Sequence, residues 1–426
     1  MLAIERLERP GGPLVTEADP LLPGVVHNPH AVFLRGVSSM PWFGDLELGR
    51  RGVEMIEPEL NLALVTSQGR MLGIHADLGR TCASIADFSR RDADTYRRLH
   101  AEFRPVLAEV VGPERASPPL PAEIRTSLLS RSAAGRRALE TEPLSPRAFV
   151  ERHFEHPALQ AALLYVCIIR EFDVHAPGLG LLVPSIIASE QKAQLCRGGS
   201  ARLAEALVAD VRAHGGAILT GATVRRVLVE RGRATGVELA DGRRVMARGF
   251  VALALGPHQL LELVELPRET AARARAYRYN IVGPLFGVNV ALREPPRYRV
   301  AAQHPEVSLA GLTILGLDRP DEIYELYSGR LPALASIWGT TPTAHDPSQA
   351  PPGIATAFMW QKAPYALDGD PAHWDTGRES HAWRVLARWR EFAPNLSPDN
   401  VLTLRALTPL DTERRFPNLR GGDLGV

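Results

Sequence analysis

The stretch from Arg197 to Gly256 constrains the fold more tightly than any other part of the chain. It opens on Gly198-Gly199, residues that reach positive φ or allow close backbone approach where a side chain would not. Ser200 is a suitable N-cap, and Leu203, Leu207 and Val211 recur at helical spacing, which predicts an amphipathic helix from Ser200 to about His214. Gly215-Gly216 ends it. The period then shortens. Ala217–Leu219, Val224–Glu230, Thr235–Leu239 and Arg244–Ala247 are β-type runs, with tight links at Arg231–Arg233 and Asp241-Gly242. Val251–Leu255 is continuously apolar, which predicts a strand buried on both faces. It stops at Gly256-Pro257, the kind of strand end at which open α/β sheets hold ligands. Glycine pair, helix, strand, meander and apolar strand describe one unit of a dinucleotide-binding domain. A generic α/β segment with a hairpin insertion has the same pattern, because periodicity does not name a cofactor.

The beginning of the chain carries the complementary signal. Leu2–Ile4 reads as the end of a buried strand followed at once by Glu5, and an acidic residue there accepts hydrogen bonds from ribose hydroxyls in a dinucleotide fold. Arg9 and Gly11-Gly12 follow. The plainer alternative is a charged strand end with a turn.

Through these two segments the chain resembles the phytoene desaturase-like flavoproteins, which are related to the amine oxidases. Glu5 through Gly12 match that family's E-x-x-x-R-x-G-G continuation, and Arg197–Gly256 matches the second half of its FAD domain. The run from Trp338-Gly339-Thr340 through Asp346–Gly353 to Phe358-Met359-Trp360 is similar to one branch, the pyridine-nucleotide-disulfide-oxidoreductase-domain group. The resemblance implies FAD as cofactor. It places Glu5 on the ribose, Arg9, Gly11 and Gly12 on the phosphate–flavin side, the Val224 backbone against adenine, and Gly198 and Gly199 in the turn before the helix. It departs in three places. The family's G-x-G-x-x-G unit lies ahead of the Leu2–Ile4 strand, and the chain is expected to be a late start or a fragment rather than a degenerate relative. The closing glycine-rich FAD contact lies beyond Val426. A lysine directed at the flavin in relatives is here Gly287.

The implied fold class is α/β: an interrupted Rossmann-like FAD-binding domain with a β-meander, plus a mixed-sheet substrate domain with a helical cap. The expected division is residues 1–75 (FAD-binding domain, first part), 76–194 (helical cap and substrate-domain segment), 195–264 (FAD-binding domain, second part), 265–407 (substrate domain) and 408–426 (return towards the FAD domain). Within the cap, Ser89–Asp92 reads as a capping box opening a helix to Val111, and further helices are expected around 121–139 and 145–170. Glu171, Asp173 and His175 read as exposed charges at a helix end rather than as a cavity wall, and Leu181–Ala188 as an extended return. His27 and His30 lie on a segment that resembles the one passing beneath the flavin. A ring neighbour, an acid/base group and a loop histidine satisfying backbone are all open for each. Strands are expected at 284–292, 310–315 and 334–340 and around Phe358–Trp360. Trp338, Trp360 and Tyr365 are candidates for an apolar substrate pocket, against a reading as core.

Composition sets limits on function. A net charge of +1 on 426 residues gives no electrostatic reason to expect nucleic acid. Three dispersed cysteines without CxxC suggest neither disulfides nor a metal site, and fit a cytoplasmic protein. No run is long enough for an integral membrane segment. The expected activity is FAD-dependent dehydrogenation of an apolar or extended small-molecule substrate, with hydride passing to flavin N5 and a homo-oligomer allowed. The alternatives are a polyene or carotenoid desaturase or isomerase on the same scaffold, and a non-catalytic interaction or chaperone protein.

Overall fold

A computed structural model of the chain describes residues 1–189, 193–277, 282–332 and 336–422. The start of the strand expected at 334–340 and the final residues 423–426 lie outside the described residues. The frame is a mixed seven-stranded sheet in the order Val401–Leu407, Leu285–Leu292, Ala355–Lys362, Ile337–Thr340, Ala310–Leu315, Leu60–Val65, Met71–His75. Every pairing is antiparallel except that of Ala310–Leu315 with Leu60–Val65. Alternation along the strands divides the side chains between two cores. Phe286, Val288 and Val290 pack with Trp374, Val385 and Trp389 of the long helix His373–Phe392. Trp338, Phe358 and Trp360 join the core on the opposite face, with Phe103, Phe149 and Leu163 from helices Arg90–Val106, Pro146–His153 and Pro157–Ile168.

The second α/β part holds the parallel pair Leu2–Ile4 with Ala217–Leu219, the helix Ala201–Ala213 and the antiparallel meander Val224–Glu230, Arg233–Leu239, Arg244–Met246. Gly215, Gly232 and Gly242 all take positive φ where the sequence places turns. Val251–Leu255 does not form the expected strand. Among the described residues no strand lies beside it. Val251 and Leu253 pack on the meander, and Leu255 stays 40% exposed. A run apolar on both faces needs neighbours on both edges to become a buried strand.

Two other expectations are corrected. Leu182–Ala188 is a short helix rather than an extended return, with Val183, Ile187 and Ala188 buried. Pro184 fits because first-turn N–H groups have no intrahelical partner to lose. Ser89 does cap the helix Arg90–Val106 by accepting from the Asp92 N–H, but Asp92 does not close the box. Its buried carboxylate accepts from the N–H groups of Glu155 (3.0 Å) and His156 (2.8 Å), fixing the entry to helix Pro157–Ile168. Replacing Asp92 by Ala leaves two part-buried donors without their acceptor and is expected to lower unfolding stability by about 1–3 kcal/mol. Asp92→Asn, which keeps one acceptor, should lose less; urea denaturation of both variants checks the order.

Candidate functional site

The turn before helix Ala201–Ala213 is where distant parts of the chain meet. Gly198 and Gly199 have φ of +76° and +98°. A Cβ on Gly199 would lie 2.3 Å from Thr16 Oγ1 and 2.9 Å from Asn28 Oδ1, so the approach requires glycine. Those two oxygens cap the helix. Ser200 N donates to Asn28 Oδ1 (3.0 Å) and Ala201 N to Thr16 Oγ1 (3.1 Å). Ser200 is therefore not the side-chain cap that its position suggests. Its hydroxyl instead donates to the Val15 carbonyl at 3.3 Å. On the far side, Asn28 Nδ2 donates to Gln349 Oε1 (2.9 Å), Gln349 Nε2 to Asp346 Oδ2 (3.0 Å), and Gly198 N to the same Asp346 oxygen (2.6 Å). Asn28, Asp346 and Gln349 are all buried. Burial alone would raise the Asp346 pKa, but hydrogen bonds from Ser348, Gln349 and Gly198 outweigh it and hold the carboxyl below its ordinary range. Since the Gly198 and Gly199 N–H groups are both taken, the latter by the Cys196 carbonyl, these glycines act by shaping the turn.

The Glu5–Gly12 segment runs alongside. Ala222 N donates to the Glu5 carbonyl, and Gly221 N to the Leu7 carbonyl, so Glu5 stands directly before the strand that begins at Val224. One Glu5 carboxylate oxygen accepts from Leu7 N at 2.8 Å. The Arg9 guanidinium makes no side-chain hydrogen bond or ion pair among the described residues. Gly11 has φ +121°, and a Cβ there would sit 2.7 Å from Ala204 Cβ on the helix. Gly12 (φ +54°) faces open space. A dinucleotide needs an acceptor for ribose, a cation and a side-chain-free approach for its anionic and planar parts. Glu5, Arg9 and the Gly11-Gly12 turn supply these, so the residues present fit that part of FAD.

The two histidines are buried and held. His27 bonds Asp19 (3.0 Å), whose Oδ2 also accepts from Thr403 Oγ1 at 2.6 Å. Burial lowers the His27 pKa more than Asp19 raises it. His30 pairs Nε2 with Thr412 Oγ1 (3.3 Å) and meets the Phe416 ring edge-on at 5.0 Å, while its buried Nδ1 has no partner among the described residues. Burial, with Arg415 adding to it, pushes its pKa down to about 4. The segment after residue 408 closes this side: Arg415 pairs with Glu17, and its carbonyl accepts from Arg6.

Beyond the histidines lies an aromatic wall. Trp338 and Trp360 are cross-strand partners with ring centroids 4.7 Å apart, and both are nearly fully buried. Phe33 lies 6.2 Å from Trp338 and 5.9 Å from Phe358. Trp360 also covers Gly287 across the strands: a Cβ there would lie 2.9 Å from the indole Nε1. Tyr365 stands apart, bonded through its hydroxyl to Glu413. Between this wall, helix Pro157–Ile168 and the Leu60–Val65 strand is a cavity of about 60 Å³ lined by Phe33, Arg35, Leu62, Leu163, Val166 and Arg170 among others. A broader groove of about 960 Å³ lies between the meander and helices Pro257–Leu263 and Arg268–Ala276, and none of the candidate residues lines it.

Two features were not read from the sequence. Glu171 is not an exposed charge: it is buried, has φ +63°, and pairs with the fully buried Lys362. Asp173 and His175 do lie nearer the surface, His175 between the rings of Tyr324 and Tyr327. Arg35 and Arg170 were not singled out at all. A positive φ at a non-glycine and a lysine in an apolar strand are the only local signals, and neither names a partner.

No family model matches the chain. It is 28% identical to one component of the limonene dehydrogenase of Castellaniella defragrans, over 99% of this chain and 79% of that protein. It is 27% identical to pyridine nucleotide-disulfide oxidoreductase domain-containing protein 2 of Mus musculus, with the same coverage of each. A lycopene-forming phytoene desaturase from a Paracoccus species is 28% identical over 77% of this chain and 63% of its own. Among solved structures, an oxidoreductase from Methanosarcina mazei aligns with TM-score 0.61 and 16% identity, covering 96% of this chain and 82% of that one. A putrescine oxidase aligns with TM-score 0.57 and 15% identity over 95% and 78%. A Rab GDI from Plasmodium falciparum shares the fold too, with TM-score 0.54 and 9% identity over 95% and 82%.

Two measurements probe this site. Gly199→Ala combines left-handed strain with overlap and is expected to cost about 3 kcal/mol or more, whereas Gly12→Ala bears the strain alone, about 1–2 kcal/mol; denaturant midpoints of the pair check the order. His30 has a folded pKa near 4, below its unfolded value. Its contribution is complete above the unfolded pKa and is lost as pH falls from there towards 4, at up to about 1.4 kcal/mol per pH unit. Stability of His30→Gln against pH should be flatter in that window than that of the parent.

Proposed function

We propose that this chain, a relative of the phytoene desaturase-like and amine oxidase-related oxidoreductases, is a FAD-dependent dehydrogenase of an apolar or extended small molecule. The observation that carries the reading is that the backbone of Glu5 and Leu7 bonds the residues leading into the Val224 strand, while Gly11, a few residues on, comes against Ala204 of helix Ala201–Ala213. In this reading Glu5 accepts from the ribose hydroxyls, the Val224 backbone lies against adenine, and Arg9 with the glycine turn meets the phosphate–flavin side. Gly198 and Gly199 hold the turn that lets Thr16 and Asn28 reach the helix. FAD held by Glu5, Arg9 and the glycine turn would supply a two-electron acceptor, with N5 as the atom open to hydride.

The rest of the work falls to this chain's own groups. Phe33, Trp338, Phe358 and Trp360 offer an apolar wall that excludes water and holds a substrate by area. His30, with its pKa pushed down to about 4 by burial, is neutral at pH 7 and has a ring nitrogen without a partner among the described residues, able to receive a hydrogen bond. Gly287, covered by Trp360, offers no side chain to hold a water at that position, so a lysine-held water is not assumed. Cys82, Cys167 and Cys196 are buried and free, which suits the reducing cytoplasm where we place the protein. No helix among the described residues is long and apolar enough to cross a membrane. A polyene desaturase or isomerase is the second reading, favoured by the same aromatic wall and by the phytoene desaturases among the relatives.

The test is the visible spectrum of the purified full chain after incubation with FAD. Flavin absorbance retained after gel filtration is expected, and a Glu5→Gln variant should bind FAD about 10- to 100-fold more weakly, the worth of one charge-assisted hydrogen bond. A colourless chain that nevertheless folds would favour a non-catalytic protein.

A further inference from the structure

Arg35 and Arg170 both line the cavity between helix Pro157–Ile168 and the sheet. Arg35 comes from the short strand Leu34–Arg35, which pairs with Ala193–Cys196, and Arg170 from the turn that follows the helix. Among the described residues neither guanidinium makes a side-chain hydrogen bond or ion pair, and the Nε of Arg170 is buried without a partner. No Asp or Glu is among the described residues lining the cavity. Burial, reinforced by the neighbouring Arg170 charge, brings the Arg35 pKa down to about 9, and burial also lowers that of Arg170. Two like charges, each half-buried in a largely apolar surrounding with no counter-ion among the described residues, are costly, and charges withdrawn from water are normally paired. Nearby Lys362 follows that rule with Glu171, whereas these two arginines do not.

The rest of the lining is mostly hydrocarbon and aromatic, with Phe33, Leu62, Leu163, Val166, Ile186 and Leu312, and its other polar side chains are those of Asn61, Ser189 and Tyr96. We infer that this cavity takes the carboxylate of an apolar acid, with Arg35 and Arg170 as its paired anchors and the Phe33–Leu163–Leu312 lining around its hydrocarbon part. A guanidinium fork matches the two oxygens of a carboxylate, and a ligand of that kind supplies negative charge to the arginines while its hydrocarbon part meets the largely apolar walls. The volume of about 60 Å³ exceeds by several-fold the ~10–15 Å³ that one water requires in the same measure, so it admits a headgroup with part of its chain. The inference rests on the dehydrogenase reading in one respect, that this cavity is the substrate's, and it narrows the substrate class to acids.

The experiment is calorimetric titration of the full chain, loaded with FAD, using octanoate, octanamide, acetate and inorganic phosphate as probes. Octanoate is expected to bind at least tenfold more tightly than octanamide and than acetate. Arg35→Met and Arg170→Met should each abolish the octanoate preference while melting no lower than the parent, because each removes a half-buried charge with no side-chain partner among the described residues. Equal binding of octanoate and octanamide, or phosphate binding as tightly as octanoate, overturns the assignment. So does a fall in melting temperature in both variants with octanoate affinity intact, which would make the arginines structural. Flavin content, read separately from visible absorbance, keeps the two claims apart: octanoate binding by a chain that holds no flavin upholds the acid site and sinks the dehydrogenase, and flavin without octanoate binding does the reverse.

Discussion

The side-chain amide of Asn28 is the contact on which the arrangement of this protein depends. Its oxygen accepts from Thr16 Oγ1 at 2.8 Å and Ser200 N at 3.0 Å, and its nitrogen donates to Gln349 at 2.9 Å. One buried group thus ties the segment after the first strand, the start of a helix far along the chain, and a loop of the large sheet. None of these bonds can be traded for water without opening the interior, and an unsatisfied buried amide costs more than the bond itself contributes. Gly199 is the steric counterpart, since the approach of Thr16 and Asn28 leaves no room for a Cβ. With that node closed, Gly11 comes against Ala204 and the Glu5–Gly12 segment lies along the helix.

How much of this could be read from sequence follows from the range of the interactions involved. The meander Val224–Met246 is local: its turns are marked by Gly232 and Asp241-Gly242, and its strands pair with neighbours a few residues away. The helix Ala201–Ala213 and the strands at Leu285–Leu292 and Ala310–Leu315 likewise announce themselves through period and composition. What failed needed partners that periodicity does not reveal. Ser200 looks like a cap because of where it stands, yet Thr16 and Asn28, nearly two hundred residues earlier (|i−j| of 185 and 172), take the role. Val251–Leu255 has a strand's composition without a neighbouring strand among the described residues. Glu171 looked solvated because its partner, Lys362, lies 191 residues away.

The same reasoning separates the charges that hold the fold from those that have no fold-level explanation. Glu17 with Arg405 and Arg415, Asp19 with His27 and Thr403, and Glu171 with Lys362 are paired sets that fasten the early part of the chain and the cap to the large sheet. Trp360 does comparable work with apolar surface, filling the space above Gly287 that a longer side chain would occupy. Arg35 and Arg170 stand outside these sets, and they face a cavity rather than a carboxylate.

The central claim is that the surface flanked by Glu5, the Gly11-Gly12 turn and the start of the Val224 strand holds the cofactor. Hydrogen–deuterium exchange of the full chain with and without FAD measures it directly. The account predicts slower exchange on FAD addition in the peptides spanning residues 5–12 and 222–226, with residues 198–204 already protected by their internal bonds in both states. Slowing confined to the open groove between the meander and helices Pro257–Leu263 and Arg268–Ala276, or no slowing anywhere, would contradict it.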